Sequence, residues 1–262
     1  MSGFEEIFIG GFDYRHLIYI GLVIASSSIV QSAVGFGYGL LAFPLLLFLT
    51  DLPVPGVISL MATSGFIQTS LSVYHHRRYV DWKGLFPCIV TGIIALQLGV
   101  WTLYHIEGLD RSTIKQITGG VLLAILIIQS VFSVQPRDSV HPLWGMIAFF
   151  LYGFVSGIVA MGGPFVVLWV MAHKWSNRQI RGAITATIFA SIPFQVFLLF
   201  HQFGTGVLTA ALLGLIYMPM ALLGTVAGLW IGDRIPRKQL RRLTVGLLII
   251  IAATAILHPF LW

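Results

Sequence analysis

Apolar residues run through this chain in long stretches, and the short connections between them carry most of the charged residues. Ten stretches stand out, at 17–34, 38–49, 54–74, 84–106, 114–134, 142–160, 163–173, 180–200, 206–231 and 242–258. A helix that crosses a bilayer needs about 17–25 predominantly apolar residues. The pattern therefore predicts an all-α polytopic membrane protein. Six stretches, three in each half of the chain, are predicted to be full spans: 54–74, 84–106, 114–134, 180–200, 206–231 and 242–258.

Two stretches are too short to cross a membrane, and each follows a glycine-rich break. The stretches 38–49 and 163–173 have 12 and 11 residues, so as helices they extend roughly 18 Å into a hydrocarbon core about 30 Å thick. The breaks before them are Gly35-Phe36-Gly37-Tyr38-Gly39 and Met161-Gly162-Gly163-Pro164. In lipid, backbone that leaves the helix must find partners in protein or in a water-lined cavity. Each break therefore predicts a broken helix or a re-entrant hairpin with a site at its tip.

The two breaks occupy equivalent places in two similar halves of the chain. Gly37 corresponds to Gly162 at a shift of 125 residues. At a shift of 126, four further pairs match: His75 and His201, Arg111 and Arg237, Thr118 and Thr244, Gly120 and Gly246. The pattern predicts a duplication, with a first membrane repeat at 1–134 and a second at 135–262, which together form one integral membrane domain.

The basic residues predict how these repeats are oriented. If both short stretches enter and leave on the same side of the membrane, twelve of the 15 basic residues collect on one side. If each short stretch crosses instead, the split is five against ten. Lys and Arg concentrate on the cytoplasmic side, which favours the first arrangement. It places both termini outside the cytoplasm and makes the two repeats inverted copies, each with a hairpin or broken helix plus three full spans.

Composition excludes several classes of protein. Only 9% of the residues are charged, whereas a soluble domain carries about 25%. The single cysteine, Cys88, allows neither an intrachain disulfide nor a cysteine-based metal site. The net charge of +6 does not indicate nucleic-acid binding, because the basic residues cluster at helix ends, where topology explains them. The eight histidines also lie at predicted helix ends, so we predict no metal site and no cofactor.

Both breaks resemble the signatures of a known transporter family. The segment Gln31-Ser32-Ala33-Val34-Gly35-Phe36-Gly37-Tyr38-Gly39, followed by Pro44, and the segment Gly157-Ile158-Val159-Ala160-Met161-Gly162-Gly163-Pro164 are similar to the two repeat signatures of the TauE/SafE sulfite-exporter family. Tyr38 and Pro164 stand where that family frequently has glycine. The resemblance implies secondary transport of a small anion across the bacterial inner membrane. Sulfite, organosulfonates and other sulfur-containing or organic anions are the substrates it implies.

Neutral groups would have to hold such an anion, because no charged residue lies deep in any predicted span. Helix N-termini offer unpaired N–H groups and about half a positive charge, and glycine lets a ligand approach the backbone. Amides and hydroxyls near the tips can also donate hydrogen bonds to an anion. The candidate substrate-binding residues are Gln31, Ser32, Gly35, Gly37, Tyr38, Gln68, Met161, Gly162, Gly163 and Gln195.

Other interpretations of these residues stay open. Gly35 and Gly39 also form a helix-packing pattern, and the amides can bond across helices instead of to a ligand. An anion channel would use the same tips without alternating access. An intramembrane enzyme would need Ser156 as a nucleophile with His201 as its base, although His201 lies at a predicted helix end. The partners we expect are the anion and the lipid bilayer; the oligomeric state is not predicted.

Overall fold

Helices make up the described part of the protein. The computed structural model describes residues 14–34, 37–131, 136–137 and 140–232, together with 234, 246, 248–249 and 253. Within these residues there are eleven helices and no strand, apart from an isolated bridge between Arg137 and His173. The helices are α1 (Tyr14–Val34), α2 (Tyr38–Leu49), α3 (Val54–Ser64), α4 (Phe66–His76), α5 (Trp82–Ile106), α6 (Arg111–Val131), α7 (Pro142–Val159), α8 (Gly163–Met171), α9 (Asn177–Phe203), α10 (Gly206–Ile216) and α11 (Met218–Gly232).

The long helices have the length and composition of membrane spans. Helices α1, α5, α7 and α9 are each long and apolar enough to cross a bilayer, and there are up to six spans if the bent pairs α3–α4 and α10–α11 count as one each. Large apolar side chains such as Leu22, Ile94 and Phe197 are exposed on their outer faces, as lipid contact requires. The predicted all-helical membrane fold is confirmed. The last predicted span, 242–258, lies mostly outside the described residues.

Two of the predicted full spans, 54–74 and 206–231, each consist of two helices that meet at a bend. The first bends by 41° between α3 and α4 at Gly65, and the second by 47° between α10 and α11 at Tyr217. Gly65 follows Ser64, and Gly/Ser pairs are a common site of sharp kinks. In the second break, Pro219 has no N–H to continue the helix and its ring crowds the carbonyl four residues earlier.

Helices from the two halves pack against each other through glycine. Helix α11 lies along α1, and α7 lies along α5. A Cβ added to Gly224 or Gly228 of α11 would collide with carbonyl oxygens of α1, and a Cβ on Gly153 or Gly157 of α7 would collide with backbone of α5. Small residues four apart are the usual way in which membrane helices approach closely, since lipid gives no hydrophobic drive for association.

The short helices α2 and α8 lie inside this bundle. Helix α2 contacts α1, α3 and α6, while α8 contacts α7, α9 and α6. Most of their side chains are buried, from Leu40 to Leu47 in α2 and from Pro164 to Val170 in α8. A helix that is apolar all round is typically buried. Each therefore places its N-terminal end in the protein interior.

Candidate functional site

The first break depends on the backbone freedom of one glycine. Gly37 has φ 114° and ψ −2°, in the left-handed half of conformational space that L side chains rarely adopt. This conformation turns the chain into α2, which begins at Tyr38 and forms its first backbone hydrogen bond from Leu41 N–H to Gly37 C=O (3.0 Å). The N–H groups of Tyr38, Gly39 and Leu40 come before that bond. Like those of any first helical turn, they have no carbonyl partner within the helix. Gly35 lies outside the described residues.

The second break reverses the chain without a left-handed glycine. Helix α7 ends at Val159, and Ala160 caps it with φ 54°. Gly162 has ordinary helical angles, φ −68° and ψ −19°, but there is no room for a side chain: a Cβ there would collide with the Tyr152 carbonyl and the Ser156 hydroxyl. In the first turn of α8, Pro164 has no N–H to offer, and Phe165 N–H bonds to Gly162 C=O (3.1 Å).

The two breaks meet inside the protein. A Cβ added to Gly39 would collide with the carbonyl oxygen of Ala160 and lie 3.7 Å from the Cα of Met161. Backbone from the first half is therefore in direct contact with backbone from the second. The glycine at position 39 is required for this close approach.

A cavity of about 120 Å³ lies where the breaks meet. One water needs about 10–15 Å³ by the same kind of measure, so several water-sized groups fit. Its wall includes backbone of both breaks and apolar side chains of α3, α8 and α9. The polar side chains in the wall are Gln31, Tyr38, Gln68, Thr69, Tyr152, Ser156 and Gln195. Among the described residues of the wall there is no Asp, Glu, Lys, Arg or His.

Seven of the ten residues predicted from the sequence line this cavity. They are Gln31, Gly37, Tyr38, Gln68, Met161, Gly163 and Gln195. Ser32 does not line the cavity, but it accepts a hydrogen bond from Gln68 Nε2 (3.3 Å). Gly162 lies behind the second tip, packed on Tyr152 and Ser156. Gly35 lies outside the described residues.

Hydrogen bonds hold the polar wall in place. Gln195 Nε2 donates to the carbonyl of Ser156 (2.9 Å), so this amide ties α9 to the end of α7. The Tyr38 hydroxyl lies 2.7 Å from Ser64 Oγ. Each half of the chain therefore contributes one hydrogen-bonded side chain to the wall, Tyr38 from the first half and Gln195 from the second.

Two polar residues in the wall, Thr69 and Tyr152, were missed by sequence reasoning. Tyr152, Ser156 and Ala160 are four residues apart along α7 and its cap, so they share one face that leads to the second break. That spacing was the available signal. Conversely, Ser28 shares a face with Ser32 in the sequence, yet it turns away from the cavity: a Cβ on Gly224 of α11 would lie 2.9 Å from its Cβ. Thr63 bonds to the Ala211 carbonyl of α10 (2.8 Å).

Acidic, basic and histidine side chains of the described residues lie outside the cavity. Glu107 follows the end of α5, and burial raises the pKa of its carboxyl to about 7, but it is not part of the wall. His201 is exposed near the end of α9, about 9 Å along the helix axis from Gln195. Among the residues described here, no group of three or more His, Cys, Asp or Glu is placed to hold a metal ion.

Comparison with known families gives one match that covers nearly the whole chain. The family model described as Sulfite exporter TauE/SafE matches residues 19–255. The matched segment contains both breaks and every residue of the cavity wall. No curated protein and no solved structure matches the chain significantly.

Proposed function

The chain belongs to the TauE/SafE sulfite exporter family, and we propose that it is a secondary transporter that moves a small anion across the bacterial inner membrane by alternating access. The proposed substrate is sulfite, an organosulfonate or a related sulfur-containing or organic anion. The observation that carries the proposal is the cavity between the two breaks, where the described wall residues include polar but no charged side chains.

Neutral donors can bind an anion in this cavity without trapping it. The first turn of α2 presents N–H groups and the positive end of the helix dipole, equivalent to roughly half a charge. Gln31 adds amide hydrogens, and the Ser156 hydroxyl adds one more. Because the wall residues that the structure describes include no Lys or Arg, we expect modest affinity for the anion. A transporter needs that, since its substrate must also be released.

Matched contacts in the two halves support alternating access by inverted repeats. Ser64 and Ser191, like Gln68 and Gln195, lie 127 residues apart. Both serines donate to a carbonyl of their own helix, and both glutamines donate to a serine of the helix that precedes a break, at its side chain in Ser32 and at its carbonyl in Ser156. Helix α1 of the first half packs on α11 of the second, and α7 of the second packs on α5 of the first. Inverted repeats predict such reciprocal pairing around a central site. We propose that both termini are periplasmic, as the distribution of basic residues indicates.

Export is the direction that the membrane potential favours. An anion that leaves a cell with an inside-negative potential gains about 2.3 kcal/mol per charge per 100 mV. No carboxylate in the described part of the chain lines the cavity, so we propose no proton relay through it. Outward flux from liposomes is expected to rise with an imposed inside-negative potential. Flux that ignores the potential would contradict electrogenic export.

A binding screen followed by transport tests the proposal. The purified protein is heated with sulfite, thiosulfate, sulfoacetate, taurine or simple carboxylates, with chloride as the control for ionic strength. We expect at least one of these anions to raise the melting temperature in a saturable way. The same anion is then loaded into proteoliposomes, where trans-stimulated counterflow indicates a transporter and flux without counterflow indicates a channel. If none of the anions binds, the proposed function is wrong.

A further inference from the structure

The two short helices begin with residues of very different size. Tyr38 is the first residue of α2, and Gly163 is the first residue of α8. These positions are 125 residues apart, which is the shift that also relates Gly37 to Gly162. Both Tyr38 and Gly163 line the cavity. Equivalent places in the wall therefore carry a large aromatic side chain in the first half and no side chain in the second.

The Tyr38 side chain crosses from the tip of α2 to the bend between α3 and α4. Its hydroxyl lies 2.7 Å from Ser64 Oγ, and a Cβ added to Gly65 would lie 3.7 Å from its ring carbon Cε1. Ser64 Oγ donates to the Met61 carbonyl (3.1 Å). A serine has a single hydroxyl hydrogen, so Tyr38 donates to Ser64. The ring is therefore fixed at both ends, by the backbone of α2 and by a hydrogen bond at the bend.

At the equivalent place in the second half the wall is open. A Cβ added to Gly163 meets no described atom within 4 Å, and the glycine is only half-buried. Val167, one turn further along α8 on the same face, also lines the cavity. Ser191, the counterpart of Ser64, donates to the Thr187 carbonyl of its own helix (2.9 Å), but the second tip offers it no side chain. The cavity is therefore closed by a ring on the first side and has apolar, unfilled space on the second.

We propose that Tyr38 is a specificity-determining residue: its fixed ring limits the size of the substrate on the first side of the cavity, and the uncharged part of the substrate extends toward Gly163. This inference rests on the proposed function and narrows it to anions with a short apolar part. Because the phenolic hydrogen is bonded to Ser64, Tyr38 acts through the shape of its ring. Each methylene that gains room in such a cavity is worth about fourfold in affinity.

A homologous series of anions measures this size limit. The probes are sulfite and the straight-chain alkanesulfonates from methanesulfonate to butanesulfonate. If only carboxylates stabilise the wild-type protein, the series runs from acetate to pentanoate. Titration of the melting temperature gives a Kd for each anion. The quantity compared is the Kd of the longest chain divided by the Kd of the shortest, because this ratio is insensitive to a general loss of affinity.

Four variants are compared with the wild type. Tyr38→Ala removes the ring, and we expect the ratio to fall about tenfold because about two methylenes gain room. Tyr38→Phe keeps the ring and loses the hydroxyl, so the ratio is expected to stay within about twofold. Gly163→Ala fills the open side with one methyl group and is expected to raise the ratio about fourfold. Tyr74→Ala, at an exposed residue of α4 outside the cavity, is the control and is expected to leave the ratio within about twofold.

The outcomes separate failure of the inference from failure of the proposed function. An unchanged ratio in Tyr38→Ala or in Gly163→Ala, or an equal fall in Tyr74→Ala, overturns the inference, while wild-type binding leaves the proposed function standing. If the wild type binds sulfite but no alkanesulfonate, Tyr38→Ala must gain binding of methanesulfonate, and no gain overturns the inference. If Tyr38→Ala does not fold, Tyr38→Leu, which also shortens the wall, takes its place. A wild-type protein that binds none of the anions overturns the proposed function and the inference together.

Discussion

The two breaks of the apolar chain reach similar geometry by different means. In the first, Gly37 adopts φ 114°, and a Cβ there would meet only Val30 Cγ1, at 3.4 Å. In the second, Gly162 has an ordinary φ, but a Cβ would collide with backbone and side chain. The left-handed turn of the second break falls on Ala160 instead. Glycine is needed for conformation in one break and for space in the other.

This difference extends to what each tip offers a ligand. In α2, three N–H groups come before the first backbone hydrogen bond of the helix: those of Tyr38, Gly39 and Leu40. The first turn of α8 contains Pro164, which has no N–H, and Phe165 N–H is already bonded to Gly162. The first tip is therefore richer in backbone donors, while the second is anchored more tightly to its own helix. We expect an anion to lie closer to the first tip.

The largest expected effect is on the tightly packed second tip. Gly162→Ala places a methyl group against the Tyr152 carbonyl and the Ser156 hydroxyl, and the carbonyl, as backbone of α7, cannot move far. Overpacking of this kind costs about 3 kcal/mol in the free energy of unfolding. Thermal denaturation in detergent measures it. A variant with the melting temperature of the wild type would show that the second tip is not packed as described.

Gly37→Ala tests the conformational role of the first tip. The substitution has space, but it forces a φ that alanine rarely adopts, at a cost of about 1–2 kcal/mol. We expect a smaller loss of stability than in Gly162→Ala. Anion affinity is expected to fall markedly, because relaxation of φ turns the first N–H groups of α2 away from the cavity. Affinity is measured by titrating the melting temperature with the anion. Equal affinity in variant and wild type would show that the backbone donors of the first tip do not bind the anion.

Gln195→Leu tests the bond that ties the second tip to α9. It removes the donor to the Ser156 carbonyl, and interhelical bonds in membranes contribute about 0.6 kcal/mol on average. Gln68→Leu is the matched change in the first half, where the amide meets the Ser32 side chain instead. We expect a small loss of stability for each in denaturation experiments. A loss confined to Gln68→Leu would reverse the view that the second tip is the more firmly held.

The smallest effect on stability is expected at Gly163, directly after Gly162, where the largest is expected. A Cβ on Gly163 meets no atom within 4 Å, so Gly163→Ala is expected to change the free energy of unfolding by less than about 0.5 kcal/mol. Compared with Gly162→Ala under the same conditions, it separates a steric effect from a general intolerance of side chains in this segment. Similar losses in both variants would mean that local space does not distinguish the two glycines.

Sequence reasoning located the tips well and the cavity wall less completely. Gly37, Met161 and Gly163, which line the cavity, could be predicted because a glycine break in an apolar stretch is visible in the local sequence. Tyr152 was missed, although its spacing to Ser156 was visible. In a helix that is apolar on every side, periodicity does not show which face meets protein and which meets lipid, since both surroundings are equally apolar.

The bends at Gly65 and Tyr217 show the same limit. A single glycine within an apolar stretch is tolerated in a helix, so Ser64-Gly65 does not by itself predict a kink. Pro219 was the stronger signal, because it removes a backbone donor wherever it stands within a helix. Whether the chain then bends by 47° depends on what α10 and α11 pack against.

By itself the sequence determined the properties that arise from length and local chemistry. These are the membrane class, the two short helices, their glycine breaks and the absence of charge near them, because bilayer thickness and backbone hydrogen bonding constrain every segment separately. The tertiary structure alone decided that Gly39 contacts Ala160, that Tyr152 faces the cavity, and that Gly162 is required for space. The first depends on a contact between residues more than 100 positions apart, the second on the rotation of a helix about its axis, and the third on how closely the start of α8 packs on α7. No local pattern in a uniformly apolar helix encodes any of them.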